Sequence, residues 1–124
     1  MASDIAVIGL GVMGRNIALN LADHGFRVTV YNRSAQKTRD TMQLVSAGQQ
    51  VVAVETLTLL CDSLNSPRII FLMLTAGPAV DAVIEELLPL LNKGDVIIDG
   101  GNSNFHDTQR RWEQLRKIGI LYLG

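Results

Sequence analysis

Three glycines near the start of the chain have the spacing of a turn that can hold a phosphate group. Gly9, Gly11 and Gly14 directly follow the apolar run Ile5–Ile8 and open a helix-forming segment, which is the context that this pattern needs. The first glycine permits the tight turn, the second lets backbone approach a diphosphate, and the third lets the helix pack on the strand. Free N–H groups and the positive end of the helix dipole then hold the anion. A glycine-rich turn without a ligand is the alternative. We expect a dinucleotide to contact the whole turn, which consists of Gly9, Leu10, Gly11, Val12, Met13 and Gly14.

The residues after the second predicted strand indicate which dinucleotide this is. NAD-binding domains place a carboxylate there, about 20 residues after the glycines, to accept hydrogen bonds from the ribose 2′-OH. This chain instead has Asn32, Arg33 and Ser34. An arginine pairs with a 2′-phosphate through two parallel hydrogen bonds and stacks beside the adenine, while Asn32 and Ser34 add hydrogen bonds and Lys37 adds charge. The pattern predicts NADP rather than NAD. Alternatively, Arg33 is a solvated surface residue and Ser34 only a helix cap.

Two later strands end in small and polar residues that are expected to meet at the same crevice. Residues 74–77 follow the fourth predicted strand, and residues 99–103, Asp-Gly-Gly-Asn-Ser, end the fifth. The carboxamide of Asn102 both donates and accepts hydrogen bonds, so it suits a nicotinamide amide or a substrate hydroxyl. The alternative is that Asn102 and Ser103 cap the next helix. Asp99 is either a site carboxylate or a partner of the turn that follows it.

The remaining polar residues give no catalytic or metal-binding pattern. His24 is interpreted as a helix C-terminal residue, which the helix dipole favours, and His106 has no nucleophile or metal-ligand spacing near it. Cys61 lies on an apolar helix face, where packing is the expected role. The pairs Arg110-Arg111 and Arg116-Lys117 are predicted to form the solvated face of the last helix. We therefore predict neither a catalytic residue nor a metal ligand in this chain.

Apolar strands alternate with helix-length amphipathic segments along the whole chain, which indicates the elements that position these residues. Continuous apolar strands separated by helices are typical of a parallel sheet covered on both faces, the doubly wound α/β (Rossmann-like) architecture. We expect six strands in the order 3-2-1-4-5-6, with ligands at the carboxyl ends of strands 1 and 4. Strands are predicted at 5–8, 28–31, 50–52, 68–74, 96–99 and 120–123, and helices at 12–22, 35–45, 56–64, 78–91 and 105–117, the fourth distorted by Pro89.

Length and composition exclude several classes of protein. The chain has 124 residues, 48% of them hydrophobic and 19% charged, with a net charge of -1 and one cysteine. It is too apolar for disorder, lacks a basic face for nucleic acid and cannot form an internal disulfide. No apolar run is long enough to cross a membrane, and the first residues do not resemble a signal peptide. We therefore expect one domain over residues 1–124, located in the cytoplasm.

Several motifs together give the chain a family resemblance. The segments 4–14, 32–34, 76–77 and 97–103, with Asp107-Thr108, Arg110-Arg111 and 119–121, are similar to the amino-terminal part of the 6-phosphogluconate dehydrogenase family. The resemblance covers essentially the whole chain. The Asp-Gly-Gly-Asn-Ser segment is more specific than the glycine turn, which related 3-hydroxyacid dehydrogenases share.

The resemblance implies an NADP-dependent oxidative decarboxylation of 6-phosphogluconate to ribulose 5-phosphate, a step of the pentose phosphate pathway. It implies that Leu74, Thr75 and Ala76 line the nucleotide and that Asn102 touches both nicotinamide and substrate. The chain departs from the family at Gly11, where alanine is more common, and at Thr75, where lysine is usual. The second change removes any cofactor contact that the lysine makes.

The resemblance also implies that parts of the enzyme lie outside this chain. The family's substrate loop, catalytic lysine and glutamate, and large helical domain have no counterpart here, and the lysines present are Lys37, Lys93 and Lys117. We therefore expect an NADP-binding part that is inactive alone, truncated after strand 6, with exposed apolar surface, and homodimeric when complete. The alternatives are a free-standing NADP-binding or sensor module, and another enzyme of the 3-hydroxyacid dehydrogenase or imine reductase type.

Overall fold

The computed structural model describes residues 2–124 as six strands and five α-helices. All the strand pairs are parallel, and the strand order is β3-β2-β1-β4-β5-β6. The predicted doubly wound sheet and its order are confirmed. The strands are β1 (Ile5–Ile8), β2 (Arg27–Tyr31), β3 (Gln50–Ala53), β4 (Ile69–Leu72), β5 (Val96–Asp99) and β6 (Leu121–Leu123), and the helices are α1 (Val12–Asp23), α2 (Ala35–Gln43), α3 (Leu57–Asp62), α4 (Pro78–Leu87) and α5 (Phe105–Arg116).

Alternate side chains of the central strands feed two separate apolar cores. In β1, Ala6 and Ile8 pack in one core, whereas Val7 packs in the other. Helices α3, α4 and α5 cover the first core, and α1 covers the second through residues such as Ala18 and Ala22. Burial on both faces explains why these strands are apolar throughout rather than alternating.

The order reverses between β1 and β4, so the chain leaves the sheet in opposite directions at this point. Val7 pairs with Val30 of β2 on one side and with Phe71 of β4 on the other. A crevice therefore opens beyond the carboxyl ends of these strands, where ligands bind in open α/β sheets. The fold places the glycine turn, the end of β2 and the ends of β4 and β5 around this crevice.

Some predicted boundaries are wrong by a few residues. Strand β4 ends at Leu72 rather than Leu74, and α2 ends at Gln43 rather than Val45. The helix predicted over 78–91 ends at Leu87 and continues as a 3₁₀ turn, Leu88–Leu90. Pro89 lies inside that turn, so the predicted distortion is confirmed; proline has no N–H to donate to an α-helical bond.

Large apolar side chains remain exposed at several places. Phe105 is 73% exposed, Met13 68% and Val12 64%, and Leu121 and Leu123 of the edge strand are both close to half exposed. The expected exposed apolar surface is therefore present. Among residues 2–124, no helix is long and apolar enough to cross a bilayer.

Candidate cofactor site at the carboxyl ends of the strands

The glycine turn has a shape that larger residues would disturb at two positions. Gly9 has a φ of +98°, a backbone conformation that L side chains rarely adopt. A Cβ at Gly14 would collide with the carbonyl oxygen of Gly9, because α1 lies directly against the end of β1. The second glycine of the motif, Gly11, is the N-cap of α1, and a Cβ there would meet no atom within 4 Å. Open space in front of Gly11 is what a bound diphosphate needs.

A side-chain amide joins the glycine turn to the end of β2. The N–H of Leu10 donates to Oδ1 of Asn32 at 2.8 Å, and Nδ2 of Asn32 donates to the carbonyl oxygen of Ser34 at 3.2 Å. Asn32 therefore holds the phosphate turn and the next residues in one arrangement. This use of the amide was not foreseen from the sequence, which assigned Asn32 to the ligand.

Arg33 lies between two recesses at this edge of the sheet. On one side is a recess of about 170 Å³ between the ends of β1 and β2 and helix α4, and on the other is one of about 680 Å³ beside α2 and the end of β3. Arg33, Ser34 and Lys37 are exposed. Within the described part of the chain, Arg33 forms no ion pair with a carboxylate. Ser34 is the N-cap residue of α2, but its side chain makes no capping hydrogen bond. These groups are therefore available to an anion.

A larger cleft of about 690 Å³ lies in front of α1, between the glycine turn and the loops after β4 and β5. Its wall brings together residues that the sequence assigns to the cofactor, from the glycine turn, from the loop after β4 and from the loop after β5. The lining residues are Gly11, Val12, Met13, Gly14, Met73, Leu74, Thr75, Ala76, Gly100, Gly101 and Asn102. No lining side chain titrates near neutral pH, so this surface can bind and orient a ligand but cannot itself exchange a proton.

The helix cap before α5 is Asn104, not Asn102 or Ser103. Oδ1 of Asn104 accepts from the N–H of Asp107 at 2.9 Å. The sequence alternative that assigned the cap to Asn102 and Ser103 is therefore wrong. Asn102 is exposed at the rim of the cleft, where its carboxamide can meet a ligand.

Asp99 binds the turn that follows it, which decides between the two interpretations left open. Its Oδ1 accepts from the N–H of Gly101 at 3.0 Å, and its Oδ2 accepts from Ser103 Oγ at 2.6 Å and from Tyr122 Oη at 2.8 Å. The phenol of Tyr122 is buried. Burial and the nearby Asp99 carboxylate raise the pKa of Tyr122 well above its usual range. The phenol therefore stays protonated and donates a hydrogen bond to Asp99.

Arg111 is buried, and its prediction as part of a solvated face is wrong. The side chain is 1% exposed. Nε donates to Oδ1 of Asp81 at 2.8 Å and Nη2 to Oδ2 at 3.1 Å, while further bonds reach Ser103 Oγ and the carbonyl oxygen of Gly77 at 3.2 Å each. The physical reason is helical spacing: Arg111 and Leu115 are four residues apart and are the buried residues of α5, on the face that packs on the sheet.

This ion pair is strong enough to change the titration of the carboxyl group. Hydrogen bonds from Arg111 and then Arg110 hold the pKa of Asp81 down to about 2, against desolvation, which acts in the opposite direction. The neighbouring Arg110 is 44% exposed and also donates to both oxygens of Asp81. Of these two arginines, Arg111 also donates a hydrogen bond to the loop after β5, at Ser103.

The two histidines and Cys61 each contact neighbouring protein groups. His24 is the C-cap of α1 and its Nδ1 pairs with the carbonyl oxygen of Asn20. Cys61 is buried in a core, where burial raises the pKa of its thiol. His106 packs edge-on against Phe105. Residues 2–124 contain no group of three or more His, Cys, Asp or Glu side chains that could hold a metal.

Sequence reasoning missed several residues that line or support the crevice. Helix α4 contributes Ala79, Ala82, Val83 and Glu86 to the smaller recess. The available signal was the pair of small residues Ala79 and Ala82 in the segment after Pro78. Met73, which was assigned to the interior of a strand, lies in the large cleft because β4 ends one residue before it.

Comparison with known proteins gives one consistent family. The model of the NAD binding domain of 6-phosphogluconate dehydrogenase matches residues 4–124. A decarboxylating 6-phosphogluconate dehydrogenase of Chlamydia pneumoniae is 51% identical over 124 residues, which are 100% of this chain and 26% of that protein. The human enzyme of the same name is 48% identical over 122 residues, 98% of this chain and 25% of that one. The chain thus spans about a quarter of the length of the curated relatives it matches.

Solved structures agree with this result. A 6-phosphogluconate dehydrogenase of Plasmodium falciparum superposes with a TM-score of 0.92 at 39% identity, covering 98% of this chain and 26% of that one. That enzyme is described in its apo form, in complex with its cofactor NADP+ and in complex with its substrate 6-phosphogluconate. A 3-hydroxyisobutyrate dehydrogenase of Mycobacterium tuberculosis has a TM-score of 0.82 at 20% identity, covering 98% of this chain and 39% of that one. The second likeness shows the fold alone.

Proposed function

This chain belongs to the family of NAD-binding domains of 6-phosphogluconate dehydrogenase, and on that premise we propose that it binds NADP across the carboxyl ends of its central strands. One observation carries the choice of NADP over NAD. The segment after β2, where a carboxylate would bind a ribose 2′-OH, holds Arg33, which has no acidic partner among residues 2–124. An arginine fork matches a phosphate, whereas a carboxylate would repel it.

The adenine half of the cofactor is assigned to the glycine turn and the end of β2. We place the diphosphate at residues 9–14, where the first N–H groups of α1 have no partner within the helix. The 2′-phosphate is assigned to Arg33, Ser34 and Lys37, with Asn32 holding the turn in place. The adenine then occupies the recess between Arg33 and the small residues of α4.

The nicotinamide half is assigned to the larger cleft. Leu74, Thr75 and Ala76 form one wall of that cleft and Asn102 its opposite rim. Thr75 offers a short, uncharged hydroxyl, so this wall supplies no positive charge to the cofactor. Asn102 can bind the nicotinamide amide and, in the complete protein, a hydroxyl of the substrate.

We also propose the place of this chain in the reaction. Its relatives are named decarboxylating 6-phosphogluconate dehydrogenases, and one was solved with 6-phosphogluconate as substrate. NADP supplies hydride acceptance when bound. Oxidising an alcohol also needs a general base within hydrogen-bond reach, and no residue lining the cleft offers one. We therefore expect the described residues to bind and orient the cofactor without turning over 6-phosphogluconate. A single domain over 1–124, a homodimeric complete enzyme and a cytoplasmic location stay predictions.

Calorimetric titration of the chain with NADP and with NAD tests the proposal. We expect NADP to bind more tightly than NAD. Arg33→Ala should weaken NADP about 10- to 100-fold, since a charged hydrogen bond is worth roughly 1.5–3 kcal/mol, and should leave NAD unchanged.

The matched control is Arg116→Ala, which removes the same charge from the exposed end of α5. It should change neither affinity by more than about 2-fold. Equal losses for NADP and NAD in Arg33→Ala would contradict the 2′-phosphate assignment. If wild-type chain bound neither dinucleotide, the proposal as a whole would fail. Oxidation of 6-phosphogluconate by the chain alone would overturn the expectation of inactivity.

A further inference from the structure

A partly buried hydrogen-bond network includes the loop after β5, which lines the cleft assigned to the nicotinamide. Its centre is Arg111, which is 1% exposed and reaches Asp81 and Gly77 at the start of α4. The same guanidinium donates to Ser103, in the loop after β5. One side chain of α5 therefore bonds both the start of α4 and the loop after β5.

The network continues from Ser103 into the loop that carries Asn102. Ser103 Oγ donates to Asp99 Oδ2 at 2.6 Å, and the other oxygen of Asp99 accepts from the N–H of Gly101 at 3.0 Å. Tyr122 donates to the same carboxylate from β6. Asn102 is thus flanked on both sides by residues tied to Asp99, and Arg111 Nη1 lies 3.9 Å from that carboxylate.

The opposite side of the crevice is held by different bonds. There the glycine turn is joined to the end of β2 through Asn32. None of the hydrogen bonds of Arg111 found among residues 2–124 reaches that side. Helix α4, which lines the recess assigned to the adenine, is anchored by its own buried face, Val80, Val83, Ile84 and Leu87. A change at Arg111 should therefore move the loops after β4 and β5 relative to each other more than it moves this helix, the glycine turn or Arg33.

We propose that Arg111 is a positioning residue that fixes the Asn102 loop against the loop before α4, so that binding of the nicotinamide half depends on it while binding of the adenine half does not. The inference rests on the proposed function, because it concerns the same cleft. It adds a role for a residue that touches neither half of the cofactor.

The guanidinium shape is what makes this link. Nε and Nη2 meet the two oxygens of Asp81, and Nη1 points to Ser103 at the same time. A lysine keeps the positive charge but presents a single nitrogen, so it cannot hold both groups in fixed geometry. Arg111→Lys therefore separates the geometric role of the residue from its charge.

Binding of 2′,5′-ADP and of NADPH to the same variants tests the proposal, because 2′,5′-ADP contains only the adenine half. In Arg111→Lys we expect NADPH to bind about 10-fold more weakly and 2′,5′-ADP to change by less than about 2-fold. The emission of the dihydronicotinamide at saturation should also differ from wild type, since this signal reports how the ring is held. A loss of general stability would not produce that difference between the two ligands.

The matched control is Arg110→Lys, the neighbouring exposed arginine on the same carboxylate, which should leave both affinities and the emission unchanged. If Arg111→Lys does not fold, Ser103→Ala removes the contact of Arg111 with the loop after β5, together with the hydrogen bond from Ser103 to Asp99, and leaves the bonds of Arg111 to α4 in place. It should weaken NADPH about 3- to 5-fold and spare 2′,5′-ADP.

The possible results separate this inference from the function on which it rests. Wild-type chain that binds neither ligand contradicts the proposed function and the inference with it. Wild-type chain that binds both, with equal losses or no losses in Arg111→Lys and Ser103→Ala, leaves the proposed function standing and overturns the role of Arg111.

Discussion

The two sides of the crevice are built in different ways. We call the side assigned to the adenine half of the cofactor the adenine side, and the side assigned to the nicotinamide half the nicotinamide side. The adenine side consists mainly of backbone, glycines and residues of two short segments, 9–14 and 32–37. The nicotinamide side depends on side chains from distant segments: the bonds of Arg111 to Asp81 and Gly77 join residues 30 and 34 positions apart, and that of Tyr122 to Asp99 joins residues 23 apart. The first side can be recognised from two short segments, which the hydrogen bond from Leu10 to Asn32 joins across 22 positions. The second side is recognisable only in the completed fold, where side chains from α4, the loop after β5, α5 and β6 meet.

Because of this difference, a substitution has a different structural effect on each side. On the adenine side, a side chain added at Gly9 or Gly14 collides with backbone atoms. On the nicotinamide side a wrong residue leaves buried polar groups without partners and loosens two loops. Substitutions on the two sides should therefore have distinct signatures in stability and in binding.

The largest effect is expected from Gly14→Ala. The added methyl group would collide with the carbonyl oxygen of Gly9, so we expect a loss of about 3 kcal/mol in the free energy of unfolding, together with loss of NADP binding. Urea unfolding followed by circular dichroism measures the first, and calorimetry the second.

Gly11→Ala is the matched control in the same motif. Its Cβ meets no atom within 4 Å, and we expect the free energy of unfolding to change by less than about 1 kcal/mol. Equal destabilisation by the two substitutions would show that the turn is not held by the contact between Gly14 and Gly9.

A smaller, pH-dependent effect is expected on the nicotinamide side. The hydrogen bond from Arg111 is the main reason that the pKa of Asp81 is lowered to about 2. Because this folded-state pKa lies below the unfolded value of about 3.9, the carboxylate stabilises the fold fully above about pH 4 and loses this effect as the pH falls towards about 2. The stability difference between wild type and Asp81→Asn should therefore shrink over that window in urea unfolding.

Substitution of each of the two arginines that bond Asp81 shows which of them causes this pH dependence. Arg110→Gln leaves the stronger contact in place and should retain most of the pH dependence, whereas Arg111→Gln should remove most of it. The reverse order would contradict the central place of Arg111 in the network.

The same contrast explains what the sequence could predict. Continuous apolar strands separated by helices were enough for the strand order, and the glycine spacing was enough for the turn. The role of Arg111 was missed because α5 is polar nearly throughout, so a buried arginine looks like its neighbours. The cap at Asn104 was missed although the Asn-x-x-Asp spacing to Asp107 was visible, since an acceptor at the N-cap bonds the N–H three residues later.

The most direct test of the account is a two-dimensional ¹H–¹⁵N spectrum of the labelled chain during titration with NADP. If NADP binds as proposed, the amide signals that shift belong to residues 9–14, 33–37, 74–77 and 100–103. Arg33→Ala then reduces the shifts of the second group at a given NADP concentration. Shifts confined to other surfaces, such as the groove between α4 and α5 beside Arg110 and Gln114, would contradict it, as would the absence of any shift at saturating NADP.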